Sequence, residues 1–163
     1  MDPYLQRLAD LLAGRDPIDA LRETPMRLDA LAADPFVDWD RRGRPGGWTA
    51  RQIVAHLCDH EIGFAFRARQ VVAAEGAMHV AQPYDQDAWA RDYARMDPAL
   101  ATAAFAGLRS WNLAWLARLE LADWLRAYRH PERGTEETLD EAVRFLAGHD
   151  LHHLAQLETA VGG

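Results

Sequence analysis

The stretch A-G-H-D-L-H-H-L-A-Q-L-E, residues 147–158, places three histidines and an aspartate within five positions of an otherwise amphipathic segment. Neutral imidazole is a metal ligand, and two imidazoles four residues apart on a helix can reach one ion. At about 100° per residue, setting His149 at 0° puts Leu139, Val143, Leu146, Leu154 and Leu157 between roughly 60° and 140°, which defines the buried stripe. His149 and His153, the latter at about 40°, border that stripe; His152, at about 300°, turns away and is expected to be solvated. Asp150 falls within the stripe. A carboxylate there must be paired, either orienting a ligand histidine, capping, or bridging to an arginine on another helix.

Two histidines make a poor site, so a third ligand should come from another helix. The segment V-A-H-L-C-D-H-E-I-G-F-A-F-R carries His56 and His60, again four apart. Both border an apolar stripe of Ile53, Leu57, Phe64, Ala68 and Val71, as does Arg67, and the wheel alone does not choose between the two histidines. Other nucleophiles offer little. Cys58, the single cysteine, lies well off its helix's stripe with no helix N-terminus to activate it, and Ser110, the only serine, has no nucleophile-elbow context.

The elements that would position these groups announce themselves at their starts. Asp2-Pro3, Asp16-Pro17 and Asp97-Pro98 pair an N-cap with a favoured first helical residue. T-A-R-Q (49–52) and T-L-D-E (138–141) have the capping-box form. Four helical regions follow: Asp2 to about Ala33, broken near Gly14 and Pro25; Thr49 to about Glu75; Asp97 to about Arg126; and Thr138 to about Val161. The long crossover between the second and third, 79–96, should hold a short helix around Trp89. No segment alternates with period two, so no sheet is expected. The expected fold is all-α, a four-helix bundle with one long crossover.

The chain has 163 residues, enough for one domain (1–163) with a full core. No apolar run approaches the roughly 18 residues of a membrane span, and no secretory signal is evident at the N-terminus. A lone cysteine fits a reducing cytoplasm, the expected location. A formal charge of −7 with scattered arginines and no lysine lacks the basic footprint of a nucleic-acid binder.

P-G-G-W-T-A-R-Q-I-V-A-H-L-C-D-H-E (45–61), R-H-P-E-R-G-T-E-E-T-L-D-E-A-V (129–143) and G-H-D-L-H-H-L-A-Q-L-E (148–158) resemble the DinB-like superfamily, with its YfiT-like metal-dependent hydrolases and thiol-dependent S-transferases. The resemblance spans most of the chain. It implies an up-down-down-up four-helix bundle, a homodimer, and a divalent metal on three histidines. The second-helix ligand should follow the tryptophan at the helix start by eight positions, which selects His56 from Trp48; the fourth-helix ligands match His149 and His153. His60 then becomes a neighbouring pocket group. The expected metal is zinc, nickel or iron. The first functional expectation is a thiol-dependent S-transferase using a low-molecular-weight thiol and a small-molecule substrate, with Arg67 holding a carboxylate of either. The second is a metal-dependent hydrolase, with Asp59, Glu61 or Asp150 as general base; the third is a non-catalytic metal-binding dimer. Tyr84 and Trp89 should line the pocket mouth or clamp the crossover. Trp111, Trp115 and Trp124, all expected on the third helix, should be core or interface residues, Trp111 and Trp115 sharing one face suited to a dimer, and His130 should anchor a loop.

Overall fold

In the computed structural model, which describes residues 2–74, 78–130 and 133–162, the helices start where the caps predict. α1 spans Pro3–Leu12 under Asp2, and α2 spans Pro17–Ala33 under Asp16. α3 (Ala50–Ala73) and α7 (Leu139–Val161) begin with reciprocal capping boxes at Thr49–Gln52 and Thr138–Glu141. α5 (Pro98–Leu116) starts at Asp97. The crossover holds α4 (Gln86–Trp89) and a 3-10 turn (Ala90–Arg95), as expected near Trp89. Glu75, where the sequence places the end of the second helix, lies outside the described residues, as do Pro131 and Glu132 of the R-H-P-E-R-G motif.

Three expectations need correction. The third helix ends at Leu116, about a turn and a half before a separate short helix, α6 (Leu121–Trp124), whose own Glu120–Asp123 capping box restarts the chain. A small sheet follows, of order β1-β2-β3, where β1 is His79–Val80, β2 is Ala127–Arg129 and β3 is Glu136–Thr138. β1 runs parallel to β2 and β3 antiparallel to it, with His79 opposite Tyr128 and Ala127 opposite Thr138. Third, Pro25 does not break its helix. Proline lacks the N–H that would bond the carbonyl four residues back. That carbonyl, Leu21 O, instead accepts from the Arg109 guanidinium at 3.0 Å.

α2, α3, α5 and α7 form the bundle, and two apolar clusters fix their directions. One joins Leu21, Phe64, Ala68, Leu116 and Leu146; the other joins Leu28, Ile53, Leu57, Phe105, Leu154 and Leu157. α3 and α5 therefore run parallel, α2 and α7 run parallel, and the two pairs oppose each other, which is the expected up-down-down-up order. α1 lies outside, against α7, where Gly148 lets the backbones touch: a Cβ there would sit 2.5 Å from Leu8 O.

Between the clusters sits a buried charge centre. Arg109 donates to Asp150 Oδ2 at 2.6 Å and Glu61 Oε2 at 2.7 Å, and Asn112 donates to Glu61 Oε1 at 2.8 Å. All four residues are buried. Burial opposes the arginine's charge, but Asp150 and Glu61 outweigh it and raise its pKa.

Arg109→Met should cost about 3–5 kcal/mol, because it leaves two buried carboxylates without a counter-charge. Gly148→Ala should cost about 1–3 kcal/mol by forcing α1 off α7. Gly107→Ala, on an exposed helical site with no neighbour within 4 Å, should be neutral or stabilise by up to about 1 kcal/mol. Urea midpoints of the three variants check these outcomes; equal midpoints for the two glycine variants would contradict the packing account.

Candidate metal centre

α3 and α7 run antiparallel, so the pair His56 and His60 meets the pair His153 and His149 in reverse order. Ring centroids of His56, His149 and His153 lie 4.4–5.0 Å apart, and all three residues are buried. One nitrogen from each ring falls within 4.8 Å of the other two. His56 Nε2 and His149 Nε2 are 3.0 Å apart, whereas two nitrogens bound to one tetrahedral zinc stand about 3.3 Å apart. The grouping matches the set that the resemblance implied.

The rings are held unequally. His153 Nδ1 donates to Gln156 Oε1 at 2.9 Å, and Gln156 Nε2 donates to His152 Nε2 at 2.9 Å. This relay protonates His153 at Nδ1 and leaves its Nε2 lone pair for the centre. His152, expected in solvent, is half-buried and completes the relay, with its ring also against Tyr4. The spacing offered a signal for Gln156, which stands three and four residues after His153 and His152 on one helix face. Trp48 walls the group, 4.8 Å from His56 and stacked on His153 at 6.2 Å, and the buried Tyr93 ring closes another side.

His60 stacks almost parallel on His149, centroids 3.8 Å apart, and lines a cleft of about 470 Å³ together with His149, Arg67, Tyr84, His130 and Arg133. A second cleft reaches the group from the opposite side, past Trp48, His153 and Gln156. Burial pushes the imidazoles toward their neutral forms: His56 to about 2, His60 to about 3 and His153 to about 4, with His149 well below its ordinary value. Neighbouring imidazoles and, at His60, Arg67 and Arg109 add to that effect. A neutral imidazole set suits a cation.

The remaining candidates sort themselves by contact. Glu61 and Asp150 are consumed by Arg109, so neither can serve as a free base; Asp150 takes the role of bridge to an arginine on another helix. Asp59 lines neither cleft. Burial, with Asp59 and Glu61 beside it, pushes the Cys58 thiol up to about 11, which fits an inert thiol. Arg67 does reach the cleft, its Nε donating to Gln82 O at 2.9 Å and its guanidinium 5.0 Å from the Tyr84 ring centre. Tyr84 lines the cleft and packs on Trp89 at 4.7 Å, so it serves both suggested roles. His130 anchors its loop through backbone bonds with Thr135 and Gly134 while also lining the cleft. Trp111 is exposed, whereas Trp115 and Trp124 pack against the core, Trp115 beneath Arg69 at 4.6 Å. Arg109 and Arg133 went unremarked in the sequence. Asp150 within an apolar stripe was the signal for the first; the second depends on the small sheet.

Residues 20–157 match the sequence profile of the DinB superfamily. A Bacillus licheniformis protein is 31% identical over 147 residues, covering 86% of this chain and 81% of its own length. YfiT of Bacillus subtilis is 31% identical over 143 residues, covering 86% of this chain and 79% of its own. Both carry the provisional name of metal-dependent hydrolase. The solved structure of YfiT, described as an unusual four-helix bundle, superposes with a TM-score of 0.79 over 86% of this chain and 81% of that one, at 29% identity. The structure of a mycothiol-dependent maleylpyruvate isomerase superposes with a TM-score of 0.66 at 12% identity, over 86% of this chain and 59% of that one, a likeness of fold.

The depressed histidine pKa values set a pH dependence for the metal-free protein. Unfolded imidazoles take up protons near pH 6.5, while the folded ones stay neutral down to about 4, 3 and 2. The unfolded state therefore binds more protons below pH 6.5, and stability present above that pH is lost as pH falls. Each such histidine contributes up to about 1.4 kcal/mol per pH unit. Urea midpoints in chelator should fall steeply from pH 7 to pH 5; a flat profile would contradict the buried, neutral assignment.

Proposed function

This chain belongs to the DinB superfamily, and we propose that it is a metal-dependent hydrolase whose cation is held by His56, His149 and His153. The observation that carries the reading is the convergence of these buried imidazoles from two helices, in a chain 31% identical to proteins named for metal-dependent hydrolysis. Zinc, nickel and iron all suit three imidazoles. A cation held there would supply Lewis acidity, able to lower the pKa of water and polarise a carbonyl.

The protein's own residues do the rest. The His152–Gln156–His153 relay fixes one ligand's tautomer and ring plane. Trp48 and Tyr93 pack against His56 and cover part of the group, while His149 opens onto the cleft it lines. With Glu61 and Asp150 bound to Arg109, His60 is the group placed to orient a water by hydrogen bonding: its ring is neutral, stacks on His149, lines the same cleft and keeps Nδ1 without a partner among the described residues. The net change is hydrolysis of an ester or amide. Water oxygen bonds to the acyl carbon, the bond to the alcohol or amine breaks, and a proton from water passes to the leaving group.

Untagged protein should carry stoichiometric divalent metal by elemental analysis, and His56→Ala and His153→Ala should each lose it; full metal content in both variants would remove the site. Gln156→Leu should weaken metal affinity about 10- to 100-fold by freeing the His153 ring. Hydrolysis of simple esters or amides should need the metal and no added thiol. Turnover that appears only with a low-molecular-weight thiol would replace hydrolysis by thiol-dependent transfer.

A further inference from the structure

We infer that the substrate of this site carries a free carboxylate, gripped by Arg67 on the wall of the cleft that His149 lines. This rests on the hydrolase reading for the reaction, while the binding itself stands on Arg67 and its surroundings.

Arginines drawn into a protein need their charge met. Arg109 has Glu61 and Asp150, and Arg133 has both oxygens of Glu137, at 2.7 and 2.6 Å. Arg67 is half-buried, and among the described residues it forms no ion pair. Its side chain is nevertheless fixed. Nε is committed to Gln82 O, and the guanidinium lies over the Tyr84 ring. Tyr84 reaches that place because Gly63 has no side chain: a Cβ there would stand 2.9 Å from Tyr84 Cε1. Trp89 packs against the Tyr84 ring in turn. The terminal nitrogens remain as a two-pronged donor edge, the shape that recognises a carboxylate.

The surrounding charge selects the kind of anion. Asp85 and Asp87 line the same cleft and Arg133 is already neutralised, so in the metal-free cleft Arg67 is, among the described lining residues, one unpaired cation against two carboxylates. A monoanion is tolerated there and a phosphate dianion is opposed. Beyond Arg67 the cleft continues into a narrow, mostly apolar recess walled by Phe64, Ala68, Val71, Leu139 and Leu146, with Tyr128 and the Arg133–Glu137 pair at its side. It has room for a short alkyl chain attached to the acid.

Two measurements separate this inference from the hydrolase reading. In the first, the metal-loaded protein is given mono-para-nitrophenyl glutarate and the uncharged para-nitrophenyl pentanoate. The ratio of kcat/KM should favour the acidic ester by about tenfold or more, fall toward unity in Arg67→Gln, and recover only partly in Arg67→Lys, which keeps the charge but loses the fork. In the second, chelator-treated protein is titrated with hexanoate, hexanamide and inorganic phosphate while the Trp89 indole and Arg67 Nε signals are followed by NMR. Hexanoate should shift both signals saturably and lose the effect in Arg67→Gln; hexanamide and phosphate should not bind. Hexanoate binding through Arg67 with both esters left intact would sink hydrolysis and keep the carboxylate site. Ester hydrolysis with a ratio near unity, or one unmoved by Arg67→Gln, would sink the carboxylate site and keep hydrolysis. Phosphate binding as tightly as hexanoate would overturn the choice of anion.

Discussion

Arg109 is the group on which the bundle's interior is organised. Its guanidinium meets carboxylates from α3 and α7 and a backbone carbonyl from α2, so one side chain of α5 touches every other helix of the bundle. A buried ion cluster adds little net stability over apolar packing, because desolvation offsets the attraction. What it does impose is alignment. Glu61 follows His60 and Asp150 follows His149, so the register that brings both acids to the arginine also brings the imidazoles face to face. Pro25 belongs to the same arrangement, since its missing N–H leaves the Leu21 carbonyl to the guanidinium.

Burial does two opposite things a few ångströms apart. At Arg109 it is overcome by two anions, and the charge persists. Among the histidines no anion from the described residues intervenes; the charged form is disfavoured, and their nitrogen lone pairs stay available to a cation. The charge centre and the neutral cluster are thus complementary solutions to one low-dielectric interior.

Much of this was legible in the sequence because it is local. The Asp-Pro starts and both capping boxes are satisfied within three residues of themselves, and each His-x-x-x-His pair needs only one helix turn. His56 was separable from His60 only by the resemblance, since both border the same stripe. The misreadings come from contacts distant along the chain. β2 has three residues, too few to show a period of two, and it exists because β1 and β3 bracket it. The third helix was drawn too long because Ala117–Arg126 remains helix-compatible in composition; the Glu120–Asp123 box that restarts it is an unusual one, capped by a carboxylate. Pro25 looked like a breaker because its compensating donor lies 88 residues away from Leu21. His152 looked solvated because the wheel ignores α1, which covers it with Tyr4.

The position of α1 has a practical corollary. Tyr4, in its first turn, lines the same cleft as His149 and Arg67, and the helix touches α7 at Gly148, one residue from His149. The N-terminal end of α1 therefore lies beside the cluster. An oligohistidine purification handle fused there would hold extra imidazoles close to the native ones and compete for the same cation, inflating its apparent occupancy. A handle removed by protease before elemental analysis keeps the stoichiometry interpretable.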